Sequence, residues 1–138
     1  MGYNEEDPRT RPILVQIVFR TGSHNLVVGD FHTYTSFGGS VAGALNNVTG
    51  AWASVSGGGA NRATGLISSV CGGRGNEASG FTSAISGGRG NSASGEESSV
   101  SGGFRNVASG RFSSVSGGET RNAPDDFNWA AGSLLEPS

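Results

Sequence analysis

Asn61-Arg-Ala-Thr-Gly-Leu-Ile-Ser-Ser-Val-Cys-Gly-Gly-Arg-Gly75 is followed without a break by Asn76-Glu-Ala-Ser-Gly-Phe-Thr-Ser-Ala-Ile-Ser-Gly-Gly-Arg-Gly90. The same fifteen-residue frame runs from Asn46 to Thr120, five units with no insertion. Position one is Asn, three is Ala or Val, four is Ser or Thr, five is Gly, eight and nine are Ser or Ala, ten is Val or Ile, and twelve and thirteen are Gly-Gly. A strict period of this kind identifies a solenoid, in which each unit buries its apolar side chains only by stacking on its neighbours.

The period also selects the architecture. Fifteen residues cannot hold two helices, and glycine this frequent opposes helix formation. Around Val70 the chain alternates, with Ser69 and Cys71 on one face and the valine on the other, which is the two-residue period of a strand. A second short strand is expected at Ala63 and Thr64, with Gly65 and the pair Gly72 and Gly73 turning the corners in positive-φ backbone. The fold class is therefore all-β, a parallel β-roll or β-solenoid of fifteen-residue coils. At ~4.8 Å per coil the five units span about 24 Å. The column Asn46, Asn61, Asn76, Asn91, Asn106 is expected to stack as a ladder of side-chain amides.

With the frame established, the run S-S-V-S-G-G-x-x-N-x-A-S-G resembles the head repeats of trimeric autotransporter adhesins, the YadA-like head, over residues 46–120. The resemblance implies a left-handed parallel β-roll that associates as a homotrimer on a bacterial surface and binds host matrix or other cells. One departure is visible. The family's strand typically reads S-V-A-I-G, whereas Ser98-Ser99-Val100-Ser101-Gly102 has small polar residues in place of two apolar ones and valine in place of alanine. The long heptad stalk and membrane anchor of such adhesins have no counterpart in this sequence.

Outside the repeat, four segments are expected: an exposed arm (1–12), a β-strand cap (13–45), the five-coil β-roll (46–120) and a C-terminal cap (121–138). The arm is polar and acidic. In the cap, Ile13 to Phe19, Leu26 to Val28 and the alternating Phe31 to Phe37 predict a three-stranded β-meander, after which Ser40 to Leu45 resembles the second half of a degenerate coil. Beyond Thr120 the frame is expected to break at Arg121-Asn122, and Phe127, Trp129, Leu134 and Leu135 to fold over the last coil.

Of the 138 residues, 34% are hydrophobic and 14% charged, which is lean for an independent core, so lateral association through one face is expected. The net charge is −2 and the nine basic residues are all arginines scattered along the chain, which argues against a nucleic-acid partner. No apolar run approaches the length of a membrane span, and the N-terminal residues lack the apolar core of a secretory signal peptide. The expected location is extracellular, on a bacterial cell surface or a virion fibre. Cys71, the only cysteine, occupies a column of serines and is read as a serine replacement.

No enzyme signature is present, and neither a cofactor nor a metal is expected. His24 and His32 have no cysteine or carboxylate cluster beside them. No serine stands in G-x-S-x-G. Glu96 and Glu97 are adjacent, so on a strand they diverge instead of forming a dyad. The glycine runs lack the lysine of a phosphate loop, and GGRGNEASG lacks the aspartate and the nine-residue period of a calcium roll. Function is therefore sought in the variable corner columns. One corner lines up Arg74, Arg89 and Phe104 with Arg105 beside them; another carries Leu66, Phe81, Trp52 and Ile67, and further along Arg111 and Phe112. Arg74, Arg89, Phe104, Arg105, Arg111 and Phe112 are the candidate partner-binding residues, because arginine and aromatic side chains dominate recognition surfaces. The readings are an adhesin-head-like attachment or display module, an ice- or crystal-surface binder using the outward serine rows, and a structural segment of a phage fibre. The partners considered are host matrix, a cell surface or a virion assembly.

Overall fold

The computed structural model describes residues 24–132. They form a parallel β-solenoid of about seven turns, with an eight-stranded sheet and a seven-stranded sheet facing each other across a thin interior. The chain alternates between the sheets, one short strand in each per turn. β1 (Leu26–Asp30) and β3 (Ser40–Ala44) belong to the larger sheet, while β2 (Thr33–Tyr34) and β4 (Asn47–Val48) belong to the smaller. Within the repeat every strand lies beside its counterpart fifteen residues away, as in Val55↔Val70↔Ile85 and Ala63↔Ala78↔Ala93.

The inward positions are those with little side chain to accommodate. Val55, Val70, Ile85, Val100 and Val115 from one sheet meet Val48, Ala63, Ala78, Ala93 and Ala108 from the other, all buried and none larger than isoleucine, with half-buried Tyr34 packed against them in the first turns. Position eight turns inward as well, as Ala53, Ser68, Ser83, Ser98 and Ser113. So thin an interior explains the glycine at position five. Gly65 is not in left-handed backbone, contrary to the expectation for a corner. It is required because a Cβ there would overlap the carbonyl oxygen of Gly80 on the next coil. Gly73 does supply a corner, with φ +84°, and a Cβ there would strike both the Gly88 carbonyl and the Asn76 amide. Gly72 has open space and unrestricted backbone.

The asparagine column is stacked, but its bonds run from side chain to backbone and not from amide to amide. Asn61 donates from Nδ2 to the carbonyls of Gly57 (3.1 Å) and Gly73 (3.0 Å), and its Oδ1 accepts the backbone N–H of Asn76 at 3.0 Å. Asn76, Asn91 and Asn106 repeat the pattern. Each buried amide is thereby fully used, as burial requires. His32 is the first rung of the same column. Its Nδ1 accepts the backbone N–H of Asn46 (3.3 Å) and its Nε2 faces the Val28 carbonyl (3.0 Å), so the imidazole carries its proton on Nε2 and reproduces the acceptor and donor of an asparagine.

Both ends differ from the expected caps. Over the described part of 13–45 the strands pair in parallel, Val27↔Val41↔Val55 and Tyr34↔Val48, and a meander would need antiparallel pairs. These first turns are fourteen-residue coils that lack a residue between Val41 and Ala42, where Ser56 stands in the next coil. Ser40 to Ala44 is part of a coil as expected. The strand expected at Ile13 to Phe19 lies outside the described residues, as do Leu134 and Leu135. At the other end the register continues where a break was expected, with Ala108↔Ala123 and Val115↔Ala130. The reason is steric: pairing needs only a small inward residue and the correct spacing, which Ala123 and Ala130 provide without the rest of the consensus.

Candidate functional site

Two connections join the sheets in every turn, and they present different chemistry. In the first, positions five to eight form a tight turn closed by the Ser68 N–H to the Gly65 carbonyl at 3.2 Å, and by equivalents in the later coils. The third turn residue has positive φ throughout: Trp52 +58°, Ile67 +59°, Thr82 +51°, Glu97 +53°, Phe112 +56° and Phe127 +60°. These φ signs are those of a type II turn, whose third residue is usually glycine. Left-handed backbone costs an L-residue roughly 1–2 kcal/mol, and a β-branched side chain such as Ile67 or Thr82 is rare there. Ladder bonds hold it in place, as where the Ile67 N–H donates to the Ala51 carbonyl at 2.8 Å and that of Thr82 to the Leu66 carbonyl at 2.9 Å.

The second connection, positions eleven to fifteen, carries the arginine line. Arg74, Arg89, Phe104 and Glu119 are successive bridge partners in register. Both backbone groups of Arg89 pair with the following coil, its N–H donating to the Gly103 carbonyl (2.9 Å) and its carbonyl accepting the Arg105 N–H (3.0 Å), while the neighbouring Gly90 N–H donates to the Arg74 carbonyl of the preceding coil (3.0 Å). The guanidinium carbons of Arg89 and Arg105 lie 5.8 and 4.8 Å from the centre of the Phe104 ring. A cation over the ring of half-buried Phe104 gains at least ~0.5–1 kcal/mol, enough to bias both side chains toward the aromatic face. Among the described residues, Arg74, Arg89 and Arg105 have no carboxylate within ion-pair distance, whereas Arg62 pairs with Glu77 (4.0 Å) and Arg111 with Glu96 (3.3 Å). These three guanidinium groups, on adjacent coils, make a cationic line along the rod.

Arg111 and Phe112 do not join that line. They lie on the turn connection, where Arg111 stands 4.8 Å over the Phe112 ring and Phe112 stacks on Phe127 at 5.2 Å and 14°. The six candidate residues thus divide into a group of four on one edge and a pair, already engaged with its neighbours, on the other. Sequence reasoning missed His32 as a rung of the asparagine column. Its signal was the fourteen-residue spacing to Asn46.

The outer face of the eight-stranded sheet is chemically plain. Ser54, Ser69, Ala84, Ser99 and Ser114 form one row, and exposed Ser56, Cys71, Ser86, Ser101 and Ser116 form the next, with no charged residue among them. Ser99 and Ser114 bond hydroxyl to hydroxyl at 3.3 Å. Among the described residues no three His, Cys, Asp or Glu side chains are grouped to hold a metal, and no helix is long and apolar enough to cross a membrane.

The fold and its edges define a parallel β-solenoid whose variable residues are displayed on two connections and, at position two, on the strands of the seven-stranded sheet. Neither a protein-family model nor a curated protein matches the chain.

Proposed function

We propose that the chain is a non-enzymatic attachment or display module, similar to an adhesin head, acting as a homotrimer on a bacterial surface or virion fibre. The observation that carries this reading is the line Arg74, Arg89, Phe104 with Arg105, set in register on hydrogen-bonded backbone, whose guanidinium groups have no carboxylate partner among the described residues. Fixed columns build the coil and are the same in every unit, so discrimination between partners rests with the variable columns, and the Arg line is the most strongly charged of them. Its partner is an anionic surface, of host matrix, another cell or a virion component, because the planar guanidinium matches carboxylate, sulfate and phosphate groups in two-point bonds. The test compares labelled wild-type protein with the triple variant Arg74→Gln, Arg89→Gln, Arg105→Gln on immobilised cell matrix and on whole bacterial cells. Attachment should fall tenfold or more and lose its salt dependence, with the melting temperature unchanged. Equal attachment of both proteins would overturn the assignment.

A second reading is favoured by the uncharged serine face, whose hydroxyls repeat at the coil spacing of ~4.8 Å. A binder of ice or another crystal surface would use that face and ignore the arginines. Thermal hysteresis that is lost in Ser99→Tyr, Ser101→Tyr and kept in the arginine variant supports it. If neither activity is found, the remaining reading is a structural segment of a phage fibre.

A further inference from the structure

Among the described residues the leucine, phenylalanine and tryptophan side chains lie outside the buried core, and with Ile67 five large apolar side chains share one edge. Phe37, Trp52, Leu66, Ile67 and Phe81 follow one another along the turn connection and are each 43–59% exposed. Their spacing is that of the coils, and the Trp52 ring lies over Gly38 and edge-on to Phe37 at 5.5 Å. No charge interrupts this ridge until the next coil, where Glu96 and Glu97 take its place. A second, independent observation concerns the backbone. Trp52, Ile67 and Thr82 sit at positive φ in a turn position that favours glycine, and from Trp52 to Phe127 that position never contains glycine, although glycine is abundant elsewhere in the coil. Unfavourable backbone held at Trp52 and Ile67, two of the five ridge residues, points to function at those side chains.

We infer that this ridge is the seam along which a second copy of the chain packs, parallel and coil against coil. The inference rests on the oligomeric reading above and assigns the face. Three features select a second copy as the occupant. With 150–250 Å² typical of a large side chain, the five residues leave on the order of 500 Å² of apolar-rich surface open. That is near the upper limit for a monomer and more than half of the ~800 Å² that each partner contributes to a standard interface. The ridge repeats at the coil rise, so an array of the same rise meets it along its whole length, and another copy of this chain is such an array. The direction follows from symmetry: copies related by a threefold axis along the rod, as in the homotrimer proposed above, run parallel and set apolar coil against apolar coil, with Glu96 and Glu97 beyond the end of the apolar stretch. The arginine line, on the other connection, stays open in this arrangement.

Sedimentation velocity of the full chain from about 1 to about 100 µM, with circular dichroism alongside, tests the inference. Wild type should sediment as an oligomer. The double variant Trp52→Gly, Ile67→Gly removes two side chains from the ridge and leaves the backbone in a conformation glycine prefers. It should keep its β spectrum and lose self-association by about a hundredfold or more, as when central anchors are removed from an interface. Glu97→Gly, the same change outside the apolar stretch, should leave the oligomer intact. If the double variant does not fold, Phe81→Glu gives the same reading by placing like charges in the seam. A wild type that is monomeric throughout overturns the inference, as does an oligomer of unchanged affinity in the ridge variants. In the latter case the homo-oligomer itself stands and its seam lies elsewhere, and efficient disulfide cross-linking through the exposed Cys71 would place it on the serine face.

Discussion

The backbone N–H of Asn91 donates to the side-chain Oδ1 of Asn76 across one coil at 2.9 Å, with both residues buried. Asn76 also donates to the Gly72 and Gly88 carbonyls, both at 3.0 Å, so one side chain ties three coil segments together. Asn76→Ala leaves a buried N–H and two carbonyls without these partners, at ~1–3 kcal/mol for each group that finds no other. A loss of about 3 kcal/mol or more is expected in urea unfolding, and Asn76→Asp should be no better, since a carboxylate would face the two carbonyls. A loss below about 1 kcal/mol would show that water replaces the amide.

Gly72 and Gly73 should respond in opposite ways to the same substitution. Gly73→Ala forces a Cβ into the Gly88 carbonyl at φ +84° and should cost several kcal/mol. Gly72→Ala meets open space and should be neutral or stabilise by ~0.4–1 kcal/mol, through the lower entropy of the unfolded chain. Thermal melts of the pair check this, and similar losses in both would mean that the adjacent coil is closer to Gly72 than described.

At the first rung, His32→Asn should preserve stability within about 0.5 kcal/mol, because the amide offers the same acceptor and donor on the residue type that the column uses elsewhere. His32→Leu should cost about 1–3 kcal/mol by orphaning the Asn46 N–H. Hydrogen exchange at Asn46 gives a local measurement: protection should survive the first substitution and fall in the second.

Val100→Asp places an unpaired charge in a core where Val100 is 1% exposed, and a loss of ~3 kcal/mol or more is expected. Glu97→Ala, three residues earlier on the exposed turn, should change stability by less than about 0.5 kcal/mol. Equal urea midpoints for the two would reverse the assignment of inward and outward faces.

Much of the roll was legible in the repeat. Val70 flanked by Ser69 and Cys71 gave the inward residue and the strand together, and Asn61 recurring as Asn76 and Asn91 gave the rungs. The ends were not legible, because Leu26 to Asp30 and Trp129 to Ala130 carry little of the consensus and still meet the minimal demand of a ladder, a small or aliphatic inward residue at the right spacing. The positive φ of Ile67 and Thr82 was hidden for a related reason: β-branched residues signal strands, and only the ladder bonds to the coil before hold them in a turn. The candidate Arg line was visible as a column on a different corner from Arg111 and Phe112, but that Arg111 and Phe112 are already engaged with Glu96 and Phe127 was visible only in the fold.

Period, coil and core thus follow from the sequence alone, because stacked parallel strands require each unit to return to the same place and a fifteen-residue unit has few ways to do so. Tertiary structure decided which variable residues become neighbours. Side chains adjacent along the rod are a full coil apart in the chain, and whether position fourteen shares an edge with position six depends on how the coil folds back between its two sheets. Only the folded coil, with its fourteen-residue first turns, brings Phe37 against Trp52 and sets Arg89 and Arg105 over the Phe104 ring.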